Sequence, residues 1–212
     1  LQPTDWNAYY HRPAAPAKLT RKISSAKILA TLAPALAHQE ISVCELGGAN
    51  SCFADDFLKR QNIVNYHIID TNDYGVELFK TRYATEHRAT AEILDARGLD
   101  TNPSFDIVYS VGLIEHFLED DTANCIESHF RVCKPGGVVL ITFPTPTLIY
   151  RVIRKIAEAL DLWEFHDERP LQFSEVESTA KPLGLSLHRS TNWWIGLTQG
   201  YVMYRKPTSS AI

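Results

Sequence analysis

A chain of 212 residues, 45% apolar and 22% charged, is long enough for one full domain with a sizeable core and short for two. Its net charge of −4 gives no general attraction to a phosphate backbone or an anionic membrane, so nucleic acid is excluded as a partner unless a local patch supplies the charge. The four cysteines (Cys44, Cys52, Cys125 and Cys133) form no CxxC pair and sit in apolar settings, which reads as reduced core thiols, no metal site and a cytoplasmic location.

The opening seventeen residues, "LQPTDWNAYYHRPAAPA", are rich in Pro and aromatics and read as an irregular arm. A helix is expected over residues 19–38, where Arg21-Lys22 followed by "ISSAKILATLAPALA" imitates a signal peptide but leads straight into a strand. The chain begins with Leu rather than Met, which leaves any upstream segment out of view. Then "ISVCEL" (41–46), "VNYHIID" (64–70), "FDIVYS" (105–110) and "GVVLITF" (137–143) recur as short β-branched runs, the pattern of strands buried on both faces of a parallel sheet. A weaker run, "HRATAEIL" (87–94), lies between the second and third. Helical patterns at 53–61, 73–83 and 122–133 separate them, with Ala123, Ile126, Phe130 and Cys133 on one face of the last. Such alternation predicts a doubly wound α/β sheet. No apolar run approaches bilayer length, so stable membrane insertion is not expected.

Beyond Phe143 the character changes to a helix followed by an aromatic and charged loop. Ser174 with Glu177 reads as a capping box for another helix, ended near Pro182 and Gly184. Residues 185–192 and 200–206 are strand candidates that should pair antiparallel at a sheet edge. The resulting division is an arm and helix (1–40), a cofactor-binding core (41–144), a lid or acceptor segment (145–184), a closing hairpin (185–206) and a tail (207–212).

The stretch "VCELGGANSC" (43–52) sets the ligand question. In an open α/β sheet, ligands sit beyond the carboxyl ends of the strands, where strand order reverses. Gly47 and Gly48 allow a tight turn there and a close backbone approach. Asp70 ends the second strand, where a carboxylate accepts both hydroxyls of a ribose; the same residue could instead cap the helix that follows "DTND". A dinucleotide loop needs a third glycine, yet Ser51 stands there, and Glu45 would repel a pyrophosphate. A ligand carrying an ammonium and a sulfonium would be attracted instead. The loop therefore fits S-adenosylmethionine better than NAD.

With "ELGGANS" and Asp70, "FDIVYSVGLIEHF" (105–117) and "VCKPGGVVLITFP" (132–144), the chain resembles the class I (Rossmann-like) S-adenosylmethionine-dependent methyltransferases. The resemblance implies a single, mostly parallel seven-stranded sheet with a C-terminal antiparallel hairpin. It places the methionine part of the cofactor along Glu45, Gly47, Gly48 and Ala49, its ribose at Asp70 and Thr71, and its adenine near Glu92 and Ile93. Ser110 and Val111 would face the cofactor from the fourth strand. The departures are Ala49 and Ser51, where the family usually has glycine, and Glu92, where aspartate is commoner; Ala49 would require ordinary backbone angles.

His116, at the mouth of the fourth strand, is the first candidate for a general base and His166 the second, the alternative being histidines that only pack or hydrogen-bond. Arg151, Arg154 and Lys155 share a helix face that would hold an anionic acceptor or simply be solvated. Tyr10 and His11 of the arm, Arg151, Arg169 and Trp194 are the acceptor-binding candidates. The reading is a methyltransferase acting on an O- or N-nucleophile of a small-molecule acceptor by in-line displacement. Its alternatives are a non-catalytic partner subunit of the same fold and an NAD-dependent oxidoreductase.

Overall fold

The computed structural model describes residues 3–11, 17–100, 102, 104–193 and 197–208, with side chains from residue 20 onward in the first long helix. Seven strands form one sheet: β1 (Ile41–Leu46), β2 (Ile63–Asp70), β3 (Ala89–Ile93), β4 (Phe105–Val111), β5 (Cys133–Pro144), β6 (Leu185–Asn192) and β7 (Gln199–Arg205). Their spatial order is β3-β2-β1-β4-β5-β7-β6. The first five are parallel, while β7 runs antiparallel between β5 and β6. The expected hairpin is therefore present, with β7 inside the sheet and only β6 at the edge.

The central strands bury both faces, as their near-continuous apolar runs require; every residue of β1 is buried. On one face Cys44, Leu46, Val108 and Phe143 pack under α5 (Glu119–Val132) and α7 (Phe173–Ala180). On the other, Val43, Ile68, Ile107 and Tyr109 pack under α2 (Ala17–Leu32) and α3 (Ala54–Leu58) with Phe79 of α4 (Asp73–Arg82). Two further helices, α1 (Trp6–His11) and α6 (Leu148–Ala159), belong to the arm and the lid segment.

The helix expected over 19–38 stops at Leu32, and only a 3-10 turn follows at Ala35–Ala37. Pro34 explains the stop, since it lacks an N–H and disfavours helix in the residue before it. The capping box expected at Ser174 and Glu177 does not form. α7 starts at Phe173 after Gln172, with no side-chain cap, and Glu177 instead pairs with Lys181 and Arg189, each at 2.9 Å. All four cysteines are free, three of them buried. Among the described residues no helix is long and apolar enough to cross a membrane.

Candidate active site

Strand order reverses between β1 and β4, so the carboxyl ends of these strands open a crevice at Gly47 and Val111. Gly47 adopts φ +72°, and a Cβ there would lie 2.6 Å from the Leu113 side chain. Ala49 also lies in the left-handed region, at φ +34°, contrary to the expectation of ordinary angles. The turn out of β1 imposes this conformation and directs the Ala49 N–H, with those of Thr71 and Asn72, to the Asp70 carboxylate. Ser51 braces the turn into α3: its buried Oγ accepts from the Phe53 and Ala54 N–H groups at 3.0 and 3.2 Å. A third glycine would have no such side chain.

Glu45 lies beneath this loop, fully desolvated. It accepts from the Tyr66 hydroxyl, which sits 2.5 Å from the Tyr109 hydroxyl and 3.3 Å from Ser51 Oγ. Burial raises its pKa against the hydrogen bonds from Ser51, Tyr66 and Tyr109. Asp70 is raised by burial too, and the backbone N–H groups around it oppose that shift. Asn72, not Asp70, caps α4, accepting from the Gly75 N–H at 2.6 Å.

Two adjoining cavities share Trp6, Tyr10, Gly47, Gly112 and His116. The smaller, about 110 Å³, runs past Asp70 and Thr71 to Leu94, Asp95 and Ala96. Glu92 and Ile93 do not line it. Glu92 pairs with Ile69 in the β2–β3 register and is exposed, so the acid at the cavity end is Asp95, three positions on, past the strand end. The larger, about 290 Å³, is walled by Glu45, Gly48, Val111, Glu115, Tyr150, Trp163, Phe165 and Glu168. Val111 reaches it, but Ser110, on the opposite face of the strand, bonds His129 Nε2 at 2.9 Å instead.

His116 stands where the cavities meet. Its Nδ1 lies 2.8 Å from Asp167, and Trp6 of the arm packs edge-on at 5.0 Å. Asp167 in turn accepts from the Thr4 hydroxyl and, at 3.2 Å, from the Thr4 N–H. Burial lowers the His116 pKa, partly offset by Asp167. Burial would raise Asp167, but the bonds from Thr4 and His116 hold it below its ordinary value. Asp167 lies 51 residues from His116, and nothing in the local sequence joins them.

Glu115, 2% exposed, has one carboxylate oxygen without a hydrogen-bond partner among the described residues. Glu115, His116 and Glu168 offer ligand atoms within 4.8 Å of one another, a grouping absent from the sequence reading with its expectation of no metal. Burial and then the neighbouring Glu168 push Glu115 well up, while burial raises Glu168 to about 7. Such a pair can hold a cation or a shared proton.

The other predicted residues divide clearly. Tyr10 lines both cavities, its phenol raised by burial and then by Asp70. His11 stacks on Tyr74 at 4.4 Å and lines neither. His166 is exposed and lines neither. Arg151 is exposed on α6, also away from both. Arg169 is spent inside the protein: it donates to Phe117 O at 2.7 Å and Thr122 Oγ1 at 2.8 Å, and pairs with Glu175 at 2.6 Å, pinning the lid loop to α5. Trp194 lies outside the described residues.

Residues 43–137 match the protein family described as "Methyltransferase domain". Among solved structures, magnesium protoporphyrin IX methyltransferase (ChlM) from Synechocystis PCC 6803, with S-adenosylhomocysteine bound, superposes with a TM-score of 0.75 at 12% identity, over 95% of this chain and 92% of that one. N-methyltransferase NodS from Bradyrhizobium japonicum WM9, in complex with the same product, gives 0.67 at 11% identity, over 94% and 91%. A putative sarcosine dimethylglycine methyltransferase from Galdieria sulphuraria gives 0.64 at 18%, over 90% and 86%. No curated protein matches the chain in sequence. The strand order and the close-turned loop after β1 agree with the family match, and the chain has the Rossmann-like fold of these methyltransferase structures.

Proposed function

We propose that this chain is an S-adenosylmethionine-dependent methyltransferase acting on the hydroxyl of a small-molecule acceptor, with the adenosine end of the cofactor in the smaller cavity and the acceptor in the larger. The observation that carries this reading is the position of His116, which borders both chambers and has Nδ1 committed to Asp167. An Nδ1–H donated to that carboxylate leaves Nε2 as the basic nitrogen, and the depressed pKa keeps the ring neutral and able to accept a proton. His116 is thus the general base and Asp167 the residue that fixes its tautomer.

The cavities suit the cofactor in three respects. Gly47 and Gly48 leave room that a Cβ would close: at Gly48 it would meet the Glu45 carboxyl carbon at 2.8 Å. Asp70 is fixed by backbone N–H groups beside Thr71, ready to accept a ribose diol. Asp95 and Leu94 bound the far end, where an adenine amino group and ring would meet an acceptor and an apolar wall. The cofactor supplies a methyl carbon on a positively charged sulfur, open to in-line displacement. The chain contributes alignment, which is worth roughly 7–11 kcal/mol of a bimolecular barrier. It also excludes water, because Trp6 and Tyr10 of the arm and Trp163 and Phe165 of the lid close over the site.

The test is calorimetric titration of the folded protein with S-adenosylhomocysteine. Micromolar binding is expected, weakened at least about tenfold in Asp70→Ala, given a typical charged hydrogen bond, and retained in His116→Gln. A folded wild type that binds none would overturn the cofactor assignment. Equal binding by Asp70→Ala would move the ribose elsewhere.

A further inference from the structure

Helix α6 carries its apolar face on the wrong side for a helix packed on a core. At about 100° per residue, Leu148, Val152, Ile156, Ile149 and Leu160 fall within an arc of about 120°. That arc faces solvent: Leu148 is 78% exposed, Ile156 55% and Leu160 63%. The opposite face turns inward and is polar. Tyr150 is buried with its hydroxyl donating to Glu168, while Arg154 donates to the Glu168 carbonyl at 2.8 Å and lies over Trp163 at 5.1 Å. Leu162, just past the helix, adds a further 70% exposed apolar side chain. Arg151 and Lys155 flank the stripe on one side, both exposed, and neither has an ion-pair partner among the described residues.

We propose that α6 docks the protein on an anionic lipid surface, with the Leu148, Val152, Ile156 and Leu160 stripe sunk at the boundary between headgroups and acyl chains and Arg151 and Lys155 on the phosphates. A strongly amphipathic, cation-edged helix that does not span is the form of an interfacial anchor. A protein partner fits less well. The stripe is wholly aliphatic, without the aromatic and Met side chains that anchor protein interfaces. The charge is local: the chain is −4 overall, and this arc is one place where uncommitted cations meet exposed hydrocarbon. Because the inner face of α6 gives Tyr150 to the larger cavity, docking sets the lipid surface one helix diameter, ~10 Å, from that chamber. An acceptor carried at that surface would be within reach.

The experiment is co-sedimentation of the full chain with phosphatidylcholine vesicles containing about a third phosphatidylglycerol, against phosphatidylcholine alone. The wild type should sediment with the anionic vesicles. Ile156→Glu and, separately, Leu160→Ser should each weaken partitioning by about tenfold or more, and Ile156→Leu should restore it. Arg151→Glu with Lys155→Glu should remove the preference for anionic over neutral vesicles. These positions are exposed, so thermal melting by circular dichroism should be unchanged, which separates lost docking from lost fold. Wild-type protein that stays in the supernatant, or binding indifferent to the stripe, would overturn the proposal. So would a dimer in light scattering that Ile156→Glu dissolves without any vesicle binding, since a second copy would then cover the stripe. No part of the readout depends on cofactor or methyl transfer.

Discussion

Replacing Tyr66 by Phe removes one oxygen from the densest buried polar network in the site. The Tyr66 hydroxyl donates to Glu45 and lies 2.5 Å from that of Tyr109, all three side chains being buried. A hydrogen bond to a charged buried group is worth about 1.5–3 kcal/mol and one to a neutral group about 1. Tyr109 also bonds Glu45 and can take up part of the loss, which sets the expected cost near the low end, about 2 kcal/mol, while Glu45 is ionised. Burial already raises the folded-state pKa of Glu45, so stability falls as pH climbs from the ordinary carboxyl range through the folded value. Loss of the Tyr66 bond pushes that value higher and steepens the fall. Urea titrations of both proteins, followed by tryptophan fluorescence across a pH series, should give a difference of about 2 kcal/mol where Glu45 is ionised and about 1 kcal/mol on the acid side, where it is protonated. At a typical sensitivity for this chain length, the former lowers Tm by about 4–8 °C. A cost below about 0.5 kcal/mol, or one that does not change with pH, would show that Glu45 is not held as a buried anion by this hydroxyl.

Three further outcomes follow from single residues. Ala49→Gly relieves a non-glycine residue at φ +34° and should raise stability by about 1 kcal/mol, visible as a Tm increase; a lower Tm would mean that the alanine methyl matters more than the strain. Buried His129, between the Cys125 carbonyl and Ser110, is pushed down to about 4 by desolvation. The unfolded chain therefore takes up its proton first as pH falls from about 6.5, draining up to about 3 kcal/mol by pH 4, and His129→Gln should flatten that slope in acid urea titrations. If the slope is untouched, His129 is not the group responsible. Asp167→Asn removes a carboxylate that raises His116, so the imidazole resonance followed by NMR should titrate lower than in the wild type; an unmoved midpoint would separate the two residues.

The sheet was legible because its causes are local. β-branched runs buried on both faces, separated by helix-period segments, placed β1 at 41–46 to the residue and β2, β4 and β7 to within a residue at either end. Boundaries failed where a second force intervened, as when Pro34 cut the first long helix and Glu177 turned to cations across the surface instead of capping α7. Site residues at strand ends, such as Gly47 after β1 and Asp70 and Thr71 at the end of β2, were visible because the turn out of a strand fixes what lies at its end. Glu92 was chosen from the strand pattern, yet the cavity is met by the residues that follow the strand, Leu94 and Asp95.

By itself, then, the sequence determined the fold class and the cradle after β1, since strand and turn chemistry act over a few neighbouring residues. Tertiary structure alone decided which of two histidines meets the cavities, because Asp167, itself held by Thr4 of the arm, reaches His116 from 51 residues away. It also decided that Arg169 is a staple, that Ser110 turns away to His129, and that the apolar side of α6 looks outward. Periodicity states that a helix has two faces. Only packing, with its desolvation and its long-range hydrogen bonds, states which face meets the core.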